Sequence, residues 1–193
     1  MLRSTVVALA LLGLPLPLAA EPATYTIDAE HAVIAFLVKH AGYASVMGRF
    51  SGVEGMFEFD QETNSLGTVS VTIDANTVDT GHEGRDNHVR SADFLDAGAH
   101  PDITFTATGG TVETGTTGIV EGELTVRGVT QPVTLDVTLN QVADYPCCHG
   151  KETVGISARG SFNRSDFGST YALPTFVGDR VDVILEIEAI RAD

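Results

Sequence analysis

The chain's two cysteines are adjacent and precede an imidazole: Cys147-Cys148-His149. Two thiols and a ring nitrogen are donors suited to a soft metal ion. The thiols alone could instead stay reduced or close a vicinal disulfide, which an exported chain permits. Adjacent Cα atoms stand about 3.8 Å apart, below the roughly 4.4–6.8 Å that disulfides usually span, so such a bridge would be strained. C-C-H fits no standard zinc spacing. The disulfide leads, and the thiol pair and metal site stay open beside it.

The other histidines offer less. His82 and His88 lie six apart around Asp86, not at the H-E-x-x-H spacing that puts two ligands on one helix face. His31 and His100 flank extended runs, and His40 falls on an apolar face, where it reads as structural. No G-x-S-x-G elbow, P-loop or dinucleotide-binding glycine pattern occurs. Arg85-Asp86, Arg90-Ser91 and Arg164-Ser165-Asp166 read first as ion pairs tying down loops. No catalytic set and no resident cofactor are expected, so the chain is read as a non-enzyme.

The elements that must position these groups are extended. Thr24 to Asp60 alternates apolar and polar residues in two runs joined by a glycine-containing turn, with Ile34, Phe36, Val38 and His40 on one face of the first and Gly55, Phe57 and Phe59 on one face of the second. Period-two alternation marks half-buried strands. It recurs through Val69-Val71-Ile73, Ile103-Phe105-Ala107, Val120-Gly122-Leu124-Val126, Val133-Leu135-Val137-Leu139, Val154-Ile156-Ala158-Gly160-Phe162 and Val181-Val183-Leu185-Ile187-Ala189. About eight strands result, punctuated by Gly, Asn, Asp and Pro. Residues 82–98 break the rhythm and read as one or two short crossover helices, with Ser91 capping one that begins at Ala92. Eight one-faced strands make a sandwich, a filled barrel or a barrel around a cavity, and periodicity alone does not choose.

Residues 1–20 read as a secretory signal peptide: Arg3, an apolar Val6–Leu14 stretch, then Leu18-Ala19-Ala20. Residues 21–193 form one domain. The chain carries 26 Asp and Glu against 11 Lys and Arg, and loss of Arg3 takes the net charge from −15 to −16. That balance argues against nucleic acid and anionic membrane headgroups as partners.

The segments Y-T-I-D-A-E-H (25–31), F-L-V-K-H (36–40), G-R-F-S-G (48–52), F-E-F-D (57–60), V-D-T-G (78–81), R-D-N-H-V-R-S-A-D-F (85–94), H-P-D-I-T-F (100–105), G-E-L-T-V-R-G-V-T (122–130) and N-R-S-D-F-G (163–168) together resemble the YceI-like family. That resemblance implies an all-β, eight-stranded antiparallel lipocalin-like β-barrel, found in the periplasm, with an elongated apolar pore for a polyisoprenoid or quinone-like amphiphile. Stable membrane insertion is not implied, and a homodimer is left open.

Carried onto this chain, the implied pore lining is Phe36, Val38, Phe50, Phe57, Phe59, Ile73, Phe105, Leu124, Val126, Leu135 and Phe162, with Phe94 and Phe167 near one end. Arg85, Asp86 and His88 are candidates for head-group contact or for a structural role. Tryptophan is absent, so the lipocalin relation is architectural only. The Cys147-Cys148-His149 loop lies outside the family pattern, and the alternative function it suggests is redox or metal handling.

Overall fold

A computed structural model describes residues 22–192; the leader expected at 1–20 lies outside them. The strands are β1 (Ala23–Ile27), β2 (Val33–His40), β3 (Ala44–Phe50), β4 (Val53–Asp60), β5 (Ser65–Asp74), β6 (Asp102–Ala107), β7 (Thr111–Thr114), β8 (Thr117–Val126), β9 (Val129–Asp144), β10 (Glu152–Asn163) and β11 (Val177–Arg191). All pairings between them are antiparallel. One helix, α1 (Glu83–Arg90), crosses between β5 and β6.

The eight expected alternating runs become eight positions around a closed barrel. β1 and β2 lie end to end along the same edge of β11: Ile27 faces Ala189, and Val33 to His40 face Glu186 to Val177. β3 and β4 likewise form one interrupted wall, against β2 and β1 respectively. Closure pairs strands that an open sheet would leave exposed.

The two interruptions were not visible in the pattern, and they invert it. Tyr25 and Ile27 point inward at odd positions, whereas Ile34 and Phe36 point inward at even ones. The Asp28–Ala32 turn supplies the phase change, held by Glu30 and His31 N–H groups donating to Asp28. Ser51-Gly52 does the same between Phe50 and Val53, where Thr77 Oγ1 accepts from both N–H groups.

The crossover departs from the expected helix. α1 begins at Glu83, with the His82 ring accepting from the Arg85 N–H, and Ser91 is its C-cap rather than an N-cap. Residues 92–99 run as turns. Arg90 donates to the Asn76 and Val78 carbonyls, and Arg127 to those of Ala92 and Phe94. These two arginines fasten the crossover across the barrel end.

Two apolar clusters fill the interior. One centres on Tyr25, Phe57, Phe59 and Val154; the other runs from Ile27 and Ile34 through Ile73, Leu124 and Leu135 to Phe167. Phe105, Val71 and Val137 pack against both. No helix among the described residues is long and apolar enough to cross a membrane.

Candidate ligand-binding cavity

The α1 half of the barrel encloses an apolar cavity of about 550 Å³, within the roughly 300–1,000 Å³ of small-molecule sites. β2 and β3 supply Phe36, Val38 and Phe50; β5 and β6 supply Ile73 and Phe105; β8, β9 and β10 supply Leu124, Val126, Leu135 and Phe162. Phe94 and Phe167 close it from the crossover and from the 3-10 turn Arg164–Phe167.

Phe57 and Phe59 do not line it. They border a separate space of about 80 Å³ toward the other end, with Leu66, Ile119 and Val154. Tyr25 stacks on Phe57 at 5.5 Å between ring centroids and lies 6.4 Å from Phe59. Alternation identifies the inward face correctly but carries no information on depth along the barrel axis.

The polar groups reaching the main cavity are Lys39, His40, Thr80, Arg85, His88, Arg164, Ser169 and Tyr171. His40 is exposed, at the end of β2, rather than packed in the core as its place on the apolar face suggests. The Arg85 guanidinium donates to Thr80 Oγ1 and to the Thr80 carbonyl, at 2.7 and 2.8 Å. Asp86 is buried beside it and accepts from the Thr80 N–H and hydroxyl. Those bonds, the hydroxyl's foremost, hold the Asp86 carboxyl below the usual range. Arg85 and Asp86 therefore fasten α1 to the Thr80 turn, and Asp86 does not line the cavity. His88 approaches Asp93 at 2.9 Å and meets Phe94 and Tyr171 edge to face.

Arg164 is the buried cation of this end, 6% exposed. Its Nε donates to the Gly178 carbonyl, and its terminal nitrogens to those of Ser169, Tyr171 and Val177. Burial lowers its pKa, with Asp179 opposing. Sequence reading placed this arginine as a loop tie, and its partners prove to be carbonyls. The rim residues Tyr171, Ala172 and Phe176 were missed, because residues 168–176 are irregular and carry no period.

Cys147 and Cys148 sit on the exposed β9–β10 loop as two free thiols, 2.6 Å apart. The contact with Cys148 raises the Cys147 pKa. His149 turns away: its Nδ1 accepts from the Lys151 N–H, and its ring stacks on Tyr145 at 4.6 Å. Among the described residues no group of three His, Cys, Asp or Glu side chains could hold a metal ion.

Fold and cavity define a β-barrel binding protein with an apolar interior. The sequence matches the YceI-like domain over residues 25–189, and the chain belongs to the YceI-like family. It is similar to a UPF0312 protein of Pectobacterium atrosepticum, 40% identical over 88% of this chain and 87% of that one. A YceI protein of Campylobacter jejuni, solved as a crystal structure, is 32% identical with a TM-score of 0.70, covering 80% of this chain and 90% of its own. A polyisoprenoid binding domain of Saccharophagus degradans, implicated in plant cell wall breakdown, shares the fold at 16% identity and a TM-score of 0.62, over 87% of this chain and 98% of that one.

Proposed function

We propose that the protein is a non-catalytic periplasmic carrier of a long-chain isoprenoid or related amphiphile. The 1–20 leader directs its export. The observation that carries this reading is the segregation of the cavity: apolar walls of Phe, Val, Leu and Ile inside, with cationic, hydroxyl and imidazole groups toward one end. The apolar tail lies along Phe36, Phe105, Leu124 and Leu135, and the polar head stays near Arg85 and His88. Each buried methylene contributes about 0.8 kcal/mol, so a prenyl tail is held without a covalent bond. Among the described residues the lining contains no Asp, Glu or Cys.

Native mass spectrometry of protein purified without detergent tests the reading. The expected result is a co-purifying apolar mass that Val183→Phe, which fills the cavity without burying a charge, reduces. Protein with no bound lipid and no affinity for prenyl alcohols or quinones overturns it.

A further inference from the structure

The 26 carboxylates of this chain are unevenly placed. Residues 31–53 contain no Asp or Glu, and neither do residues 167–178, although the chain as a whole is strongly acidic. The first stretch spans β2, β3 and their turn; the second is the segment leading into β11. The structure sets them side by side, with the Ala41 N–H donating to the Phe176 carbonyl and His40 pairing Val177.

This same surface holds four of the most exposed large apolar side chains among the described residues. Tyr43 is 94% exposed, Phe176 64%, Met47 59% and Tyr171 47%. Phe176 and Tyr171 also line the cavity, and Tyr43 projects from the β2–β3 turn beside them. Lys39 and His40 add basic groups at the same rim. On the helix side, Asp79 is paired with Arg49, Asp86 is bonded to Thr80, and Asp93 to His88. Asp179 accepts from Ser165, and Asp182 is paired with Arg180. Glu83, at the start of α1, and Asp93 are exposed carboxylates on that side.

We propose that this rim is a docking face for a phospholipid bilayer surface. Aromatic side chains with a polar tip settle at the headgroup level, as do apolar anchors beside basic groups. A surface spread evenly with this chain's charge would be repelled by anionic headgroups; the carboxylate-free side of the rim, formed by β2, β3 and residues 167–178, removes that repulsion beside the cavity opening. The choice of a bilayer over a second copy of the chain rests on the carrier reading. Two rims packed together would seal both cavities, whereas a bilayer places the opening against the phase in which a long-chain amphiphile resides. Docking here is peripheral and involves no transmembrane element.

The absence of tryptophan supplies the test. Tyr43→Trp puts one indole on the rim. Val112→Trp puts one on β7, where Val112 is 49% exposed and the strand borders the small space at the opposite end. Each variant is titrated with vesicles of phosphatidylethanolamine and phosphatidylglycerol. The expected result is a blue shift of emission for Tyr43→Trp alone, and loss of vesicle flotation in Tyr43→Ser/Met47→Ser, whose side chains do not line the cavity. No shift, or an equal shift for Val112→Trp, overturns the proposal. A dimer in sedimentation that Tyr43→Ser/Met47→Ser disperses, without any vesicle-dependent shift, overturns it in favour of self-association. The readout needs no bound ligand, so failure of the carrier reading is seen separately, by mass spectrometry.

Discussion

The Phe105 ring lies across the backbone of Gly122: a Cβ on residue 122 would stand 2.3 Å from Phe105 Cζ and 2.6 Å from the Thr106 carbonyl oxygen. A real Cβ does not approach that closely, so ring and strand would both have to move. Gly122→Ala is expected to destabilise the barrel by about 1–3 kcal/mol, the range for overpacking. Thermal unfolding measures it. A variant as stable as the parent would show that β6 and β8 yield at this point without cost.

Phe105 also touches both halves of the barrel interior. It lines the large cavity and packs against both apolar clusters, beside Val71 and Val137. Phe105→Leu should open the floor toward the small space around Phe57 and let the protein retain a longer apolar chain. The stability cost should stay below the roughly 3–5 kcal/mol of a Phe→Ala truncation. Comparing the longest prenyl alcohol retained by parent and variant in native mass spectrometry decides it; an unchanged limit places the floor elsewhere.

Tyr25 is 1% exposed, and its hydroxyl donates to Glu152 at 2.5 Å. Burial first, then Glu152, pushes its pKa up to about 12. The protonated phenol is thus favoured by folding. Its contribution is complete below pH about 10, the unfolded value, and is lost as pH rises toward 12. Urea unfolding at pH 9 and pH 11 should show a stability drop that Tyr25→Phe reduces. An identical pH slope in parent and variant would remove Tyr25 as the source.

Arg164→Met should loosen the rim rather than the barrel. It leaves the carbonyls of Ser169, Tyr171, Val177 and Gly178 without their donor. Each buried polar group left unpaired costs about 1–3 kcal/mol, less wherever water reaches it. Hydrogen exchange should accelerate across residues 168–178 while the inner amides of β8 and β9 keep their protection. Uniform acceleration would mean that Arg164 supports the whole fold.

Cys147 and Cys148 are exposed and lie outside both apolar clusters. Cys147→Ser/Cys148→Ser should leave the melting temperature unchanged, within the effect of about 0.5 kcal/mol usual for surface substitutions. Thiol titration of the unreduced parent should give two reactive groups. A titration of zero would identify the vicinal disulfide.

How much of this was legible in the sequence varies by element. The inward faces were: Val69-Val71-Ile73, Val120-Leu124-Val126 and Val181 to Ala189 all point inward as alternation requires, because the period-two rule is local to each strand. The crossover was read less well. Ser91 has the side chain of an N-cap but ends α1, while His82, with a weaker propensity for the role, begins it. The breaks at 28–32 and 51–52 went unseen because each short turn resumes the alternation in the opposite phase.

The sequence by itself determined an all-β chain of eight alternating runs, the family, and which side of each strand is apolar. Only the tertiary structure decided where along the barrel each apolar residue falls: Phe36 and Phe105 beside open space, Phe57 and Phe59 beneath Tyr25. It alone brought the carboxylate-free stretches 31–53 and 167–178 together. Strand pattern is fixed between neighbours a few residues apart, whereas depth, closure and rim charge arise from registers between β2 and β11, whose paired residues lie more than a hundred positions apart.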